Sequence, residues 1–362
     1  MSADAVDASS VDTAGPSCAR ATLARLLERA REFYFAPGPP MRLDILPVDA
    51  PQDAGRLQFG ATLEWQAGDA AAPPALAAKL AATLELTTAG LRWLLAHPTA
   101  IDLRNPELGA ACAGRLALRG APLVAELWLQ LLKRPTPADA AALALACAQA
   151  PVRPRAGDLE GGAEDADGAN LERAVLQAIA RRSPRRLRRA VALDRVDCRG
   201  LRAAVPAGGY SGGALAPAAL VRAIDWPALP PQAFSGAQVW AGDGGPGVLT
   251  RLHCDAQTSL LAHLEGRKQV LLVSPRLRDM LYVVEAYNSF QPCRVDARRP
   301  DLARHPRFAQ AEVAQLELAP GDLLVIPTGW FHCVWADEPV VSVSRFVRDA
   351  LVAAALPAAL AG

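Results

Sequence analysis

From Ala237 to Phe346 the chain is cut into short apolar runs, each closed by turn residues: AQVWAG, VLTRLHCD, LLAHLEG, KQVLLVSP, AQLELAPGD, LLVIP, HCVWA and PVVSVSRF. Runs this short, alternating and rich in Val and Leu, read as strands. A succession of short strands with no long helix between them closes into a β-barrel or a two-sheet jelly roll. This feature limits the C-terminal half of the chain more than any other.

One of these strands, within TRLHCDAQTSLLAHLEGRK, carries His253 and Asp255 two positions apart, so both side chains project from one face. A second piece, PGDLLVIPTGWFH, ends at His332 and brings another imidazole from far along the chain. Two imidazoles and one carboxylate form the facial ligand set that leaves positions open on an iron(II) ion. Cys254 and Cys333 adjoin these ligands and, by alternation, point away as small buried hydrophobes. Trp330 and Phe331 precede His332 and read equally as walls around a metal or as barrel core.

Ahead of the barrel the pattern changes. Residues 1–16 are small and polar and read as a disordered tail. Leu23, Leu26, Leu27, Ala30 and Phe33 recur at helical spacing, MRLDI and LQFGATLEW alternate like strands, and Lys79–Leu86 and RLALRG supply two more. Helices are expected around Leu91, Leu94 and Leu95 and over Pro122 to about Leu132. The order of elements predicts an α+β accessory domain over 17–150. Residues 151–170, rich in Pro, Gly and acid, read as a flexible linker, and 171–362 as the domain that carries the barrel. A short amphipathic helix on Leu171, Val175 and Ile179 runs into ARRSPRRLRRA, whose arginines read as a solvated face balancing the acidic stretch before them. VALDRVDCRGL has the pattern of an entry strand, 200–234 is irregular apart from a helix near Ala218 to Ile224, and DALVAAALPAALAG reads as an apolar helix packed on the barrel or on a second copy in a homodimer.

The formal charge is +1, which gives no global field toward DNA or an anionic membrane. No apolar run is long enough for a membrane span. Seven scattered cysteines without a CxxC pair favour a reducing, cytoplasmic setting.

Thr250, His253 and Asp255, followed by GRKQVLLVSP, RPDLARHPRFAQA, ELAPGDLLVIPTGWFH and a last strand SVSRF, together resemble the cupin-like JmjC hydroxylases over about residues 236–347. The resemblance implies a double-stranded β-helix of the jelly-roll, cupin type with flanking helices. It implies Fe(II) held by His253, Asp255 and His332, with 2-oxoglutarate and dioxygen as cosubstrates. The activity implied is hydroxylation of an unactivated C–H bond, with a peptide or protein side chain as the first-choice substrate.

Lys268, fifteen residues after His253 (268 − 253), falls where that family places the lysine for the distal carboxylate of 2-oxoglutarate, and Thr250 matches its cosubstrate-binding threonine. A dianion inside an apolar barrel needs such a cation and hydroxyls. Ser259 and Ser344 stand where relatives often carry asparagine on the cosubstrate wall, and Arg345, thirteen residues after His332 (345 − 332), is a second candidate cation. His97, His263 and His305 match nothing and read as ordinary polar or core residues.

Residues 38–135 are also similar in pattern to the sterol-carrier-protein-like fold, which implies an apolar tunnel and a lipid ligand there. The alternatives are a non-enzymatic or regulatory cupin protein with a lipid-binding N-terminal domain, and a cupin metalloenzyme that does not use 2-oxoglutarate. The intact triad with Lys268 speaks against the first, and the second leaves Lys268 and Thr250 unexplained.

Overall fold

The computed structural model describes residues 18–32, 34, 40–68, 81–103, 105–155, 157–160, 168–198, 200–201, 210–244, 248–284 and 290–360. The expected tail, 1–16, and the middle of the expected linker, 161–167, lie outside them. The chain divides into two units between Arg134 and Pro135.

The first unit is α+β. Strands β1 (Met41–Pro47), β2 (Gly55–Phe59), β3 (Leu63–Ala67), β4 (Ala81–Leu86) and β5 (Ala117–Gly120) form a five-stranded sheet in the order β3-β2-β1-β4-β5, with β1 and β4 parallel. Helices α1 (Cys18–Glu32), α2 (Thr88–Ala96), α3 (Pro106–Ala111) and α4 (Pro122–Leu132) complete it. The expected amphipathic face of α1 is buried at Leu23, Leu26, Leu27 and Ala30, while Phe33 lies outside the described residues. LQFGATLEW is two strands rather than one. Gly60–Thr62 turns the chain, Gly60 N donating to Thr62 O, so Leu57, Phe59 and Leu63 stay buried but Ala61 is exposed. Where a lipid tunnel was expected, Phe59, Trp128, Leu43, Leu57 and Leu84 are fully buried in one cluster with the leucines of α1, α2 and α4.

The second unit holds the jelly roll. Strands β6 (Arg185–Leu187), β7 (Tyr210–Leu215), β8 (Gln238–Gly242), β10 (Thr258–Glu265), β14 (Leu323–Ile326) and β16 (Val340–Val347) make one sheet, in the order β6-β14-β10-β16-β8-β7. The other, β12-β9-β15-β11-β13, contains β9 (Val248–Asp255), β11 (Lys268–Val273), β12 (Phe290–Pro292), β13 (Val313–Leu318) and β15 (Phe331–Trp335). The chain passes repeatedly from one sheet to the other, which is the double-stranded β-helix. Leu261, Leu324 and Ile326 of the first sheet meet Val270, Leu272, Leu316, Leu318 and Val334 of the second in one interior cluster. Opposite faces are covered separately. Helix α6 (Gly168–Arg181) supplies Leu171, Val175 and Ile179 to the layer over β10, β14 and β16, and helix α5 (Pro137–Gln149) supplies Leu143 to the layer over β9 and β15.

Several expectations need correction. Helix α5 belongs to the barrel unit, although sequence placed it in the accessory domain. The described part of the expected linker is tied down: Ser274 Oγ donates to Pro151 O, Arg153 pairs with Glu312, Arg155 N donates to Ser183 Oγ, and Leu159 packs on the interior cluster. The entry strand is Arg185–Leu187, inside the arginine run and not after it. Its arginines are spent locally, Arg185 on Gln177 and Arg186 on Glu317 O. Tyr210–Leu215, expected to be irregular, is a strand paired with β8. At the C-terminus, Val352 and Ala359 are buried in the layer formed with α6, while Leu351 and Leu360 stay exposed, so the apolar tail is covered only in part within its own unit. Among the described residues no helix is long and apolar enough to cross a membrane.

Candidate metal and cosubstrate site

β9 and β15 are neighbours, with His332 directly opposite His253. Directly opposed residues of an antiparallel pair share a face, so the two imidazoles lie side by side, 4.2 Å between ring centroids. Asp255 follows two residues on, its strand end held where Gly329 N donates to Asp255 O. His253 Nε2 lies 3.9 Å from Asp255 Oδ1 and His332 Nε2 lies 3.5 Å from Asp255 Oδ2. Among the described residues this is the one group of three such side chains whose ligand atoms gather, all within 4.8 Å of one another, close enough for one ion to bridge.

Hydrogen bonds settle the tautomers. His253 Nδ1 lies 2.7 Å from Arg251 O and His332 Nδ1 3.1 Å from Trp330 O. A carbonyl only accepts, so each Nδ1 carries a proton and each Nε2 is the nitrogen turned toward Asp255, the arrangement that orients metal-binding histidines. Burial pushes the Asp255 carboxyl up to about 6, opposed by His253, while burial and then His253 hold the His332 imidazole well below its ordinary value. The site as it stands resists both a carboxylate and an imidazolium. A divalent cation reverses the first penalty and needs the second, so the residues present fit Fe(II).

Thr250 reaches the same face through an irregularity. In a straight strand a residue three before His253 would point to the opposite side. Here Thr250 pairs with Val334 and His253 with His332, and the register shift between them turns Thr250 to the barrel interior with Val334. Cys254 and Cys333 point to the outer layer as expected, and Phe331 joins them there as core. Trp330 belongs to the interior cluster, with Nε1 donating to Arg182 O.

Lys268 opens β11 and projects from that sheet across the interior to β16, where Nζ lies 2.6 Å from Ser342 Oγ. It is 1% exposed, and burial pushes its ammonium down to about 7. Among the described residues Ser342 Oγ is its one hydrogen-bond partner, and no carboxylate pairs with it. A buried ammonium with one partner and no counter-charge is rare in a folded core, and it marks a place for an anion.

Ser259 and Ser344 also face inward, opposite Ile326 and Leu261, and Trp240 Nε1 donates to Ser344 Oγ at 2.6 Å. Arg345 does not. One residue beyond Ser344, it turns to the outside of the barrel, its guanidinium 3.9 Å from the Phe234 ring centroid and 5.5 Å from that of Trp226. Alternation along β16 decides this, and it removes Arg345 from the cosubstrate wall. His263, set aside from sequence as lying ten residues along an unbroken strand from His253 and so away from the metal, stands instead on β10 of the other sheet, in the interior on Ser342. Its shared parity with Ser259 and Leu261 on β10 was the available signal.

Residues 213–349 match the cupin-like domain family. Lysine-specific demethylase 8 of Xenopus tropicalis is 35% identical over 101 residues, 28% of this chain and 23% of that protein. Jumonji C domain-containing protein 5 of Drosophila melanogaster is 33% identical over 107 residues, 30% of this chain and 26% of that one. The tRNA wybutosine-synthesizing protein 5 of Homo sapiens is 36% identical over 101 residues, 28% of this chain and 31% of that protein. The chain thus spans between 23% and 31% of the length of these relatives. Among solved structures, E. coli ycfD overlaps 46% of this chain and 50% of its own at 16% identity, with a TM-score of 0.32. A structure of YcfD, a ribosomal oxygenase from Escherichia coli, in complex with cobalt and 2-oxoglutarate covers 33% of this chain and 25% of its own at 21% identity, with a TM-score of 0.22.

Proposed function

We propose, on the premise that residues 213–349 are a cupin-like domain of the JmjC kind, that this chain is an Fe(II)- and 2-oxoglutarate-dependent oxygenase. Its reaction is hydroxylation of an unactivated C–H bond, with a peptide or protein side chain as substrate. The observation that carries this reading is Lys268, a fully buried cation without a carboxylate partner among the described residues, in the same barrel interior as a His253, Asp255, His332 triad.

His253, Asp255 and His332 would hold the iron through two Nε2 lone pairs and one carboxylate oxygen. Bound there, iron(II) supplies the means to join dioxygen to 2-oxoglutarate, releasing succinate and carbon dioxide and leaving oxidising power for the C–H bond. The chain's own tasks are binding and orientation. Arg251 O and Trp330 O hold the Nδ1 protons, so neither ring can turn its lone pair away. Lys268 places an ammonium for the distal carboxylate of the cosubstrate, and Thr250, Ser259 and Ser344 add hydroxyls to the same wall. Around them Val270, Leu272, Leu316 and Leu318 exclude water, which strengthens each of these contacts. No nucleophile or general base is required of the protein.

Anaerobic reconstitution with Fe(II) followed by 2-oxoglutarate titration is the test. A weak visible charge-transfer band is expected, and its absence with metal shown to be bound would remove the 2-oxoglutarate reading. Loaded enzyme offered a peptide library and bulk tRNA, with succinate as readout, then addresses the substrate. Peptide-dependent turnover supports the proposal, and turnover on tRNA alone overturns its substrate half.

A further inference from the structure

Lys268 is tethered at its far side. Ser342 Oγ, 2.6 Å from Lys268 Nζ, lies 2.9 Å from His263 Nδ1, and His263 Nε2 lies 2.7 Å from Gly266 O. All three side chains are buried, none more than 1% exposed.

The proton positions follow from what each group can do. Gly266 O only accepts, so His263 Nε2 carries a proton. Burial, and after it the charge of Lys268, pushes His263 down to about 3, so the ring is neutral and Nδ1 is a bare acceptor. An ammonium only donates, so Ser342 must turn a lone pair to Lys268 and its hydroxyl proton to Nδ1. The chain of donors therefore runs one way, from Lys268 through Ser342 and His263 to Gly266, with every group in its single permitted role.

The far end is rigid. Gly266 has φ +74°, and a Cβ there would lie 2.1 Å from Pro339 O, so the turn that presents its carbonyl admits only glycine. The backbone of His263 is held on both sides, its N donating to Asp322 O and its O accepting from Gly321 N. A lysine side chain free to rotate carries rotamer entropy, which a ligand would otherwise have to overcome.

We propose that Ser342 and His263 are positioning residues that hold the Lys268 ammonium at one point in the barrel, with one of its protons engaged and two left for the distal carboxylate of the dicarboxylic cosubstrate. This rests on the 2-oxoglutarate reading above. The tether acts before the cosubstrate arrives, so its loss weakens cosubstrate binding and leaves the metal and the chemical step alone.

The experiment compares the full chain with Ser342→Ala, Ser342→Thr and His263→Gln, each loaded with Fe(II) under anaerobic conditions. Read out are the metal Kd, the 2-oxoglutarate Kd, the thermal midpoint, and KM and kcat for succinate formation. A hydrogen bond to a charged group contributes about 1.5–3 kcal/mol, so Ser342→Ala should raise the 2-oxoglutarate Kd and KM about tenfold or more, with kcat within about twofold and metal Kd unchanged. Ser342→Thr, which keeps the hydroxyl, should restore most of the loss. His263→Gln should raise the same Kd by a smaller factor, and it stands in if Ser342→Ala does not fold. A folded, metal-binding Ser342→Ala or His263→Gln with wild-type cosubstrate affinity would overturn the proposal, as would a fall in kcat and metal affinity at unchanged cosubstrate Kd. Wild-type protein that binds Fe(II) but not 2-oxoglutarate overturns the parent reading and this one together, without any variant being needed.

Discussion

Replacing Lys268 by methionine should stabilise the metal-free, cosubstrate-free barrel while abolishing cosubstrate binding. The ammonium is buried with one hydroxyl partner, and its pKa falls from 10.5 to about 7. In the unfolded chain it is protonated up to about 10.4, so between about 7 and 10.4 the unfolded state binds the extra proton and stability rises with pH. Below about 7 both states are protonated and the native state carries the whole penalty, about 3.5 × 1.36 or ~5 kcal/mol. At pH 9 about 2 kcal/mol remains. Methionine has a similar length and no charge. After allowance for the lost Ser342 contact, worth about 1.5–3 kcal/mol, Lys268→Met should be more stable than wild type by roughly 2–4 kcal/mol at pH 6 and close to equal at pH 9. Urea unfolding of the metal-free proteins at both pH values measures this, with the barrel transition identified as the one that Fe(II) shifts. A variant less stable than wild type at pH 6, or a difference independent of pH, would refute the picture of an uncompensated buried cation. With metal present, 2-oxoglutarate should raise the wild-type midpoint and leave that of Lys268→Met where it was.

Four further outcomes are expected. His253→Ala removes one Nε2 ligand and should abolish stoichiometric Fe(II) binding and succinate formation, measured by calorimetry and by coupled assay. Metal binding needs the Asp255 carboxylate, pushed up to about 6, so apparent affinity should fall about tenfold or more per pH unit below that value; a midpoint near 4 would contradict the burial argument. Gly329→Ala, at φ +83° with its new Cβ 3.1 Å from Leu143 Cδ1, should cost about 1–3 kcal/mol and loosen metal binding through the Gly329 N to Asp255 O bond, read by thermal melts with and without Fe(II). Arg345→Met should leave the 2-oxoglutarate Kd as it is and cost about 1 kcal/mol of stability through the lost ring contacts, whereas a cosubstrate defect larger than that of Lys268→Met would return Arg345 to the site.

Much of this protein is written locally. Strand-length apolar runs between turn residues declare a jelly roll because a two-residue period buries one face and needs a second sheet to cover it. The pair His253 and Asp255 is legible for the same reason, since a spacing of two puts both on one face whatever lies around them. Lys268 and His332 became legible through resemblance to a family, which supplies the long-range pairing that spacing alone cannot.

What the chain alone left open depends on register and on contacts between residues far apart. Thr250 reaches the interior through a shift in the pairing of β9 with β15, which no pattern along β9 announces. Arg345 leaves it because β16 sets Ser342 and Ser344 inward, against His263 and Leu261, and that parity is defined only against β10. LQFGATLEW keeps its alternation through a turn at Gly60–Thr62, so periodicity could not distinguish one strand from two. The arginine run yields a strand because β14 offers an edge to Arg185–Leu187, a tertiary pairing that overrides local charge. Most of all, His263 drew notice only by its nearness in sequence to His253 and read as an ordinary polar or core residue. It acquires a partner only when β11 sends Lys268 across to β16, for the position of a buried proton is decided by everything that surrounds it and by nothing in its own segment.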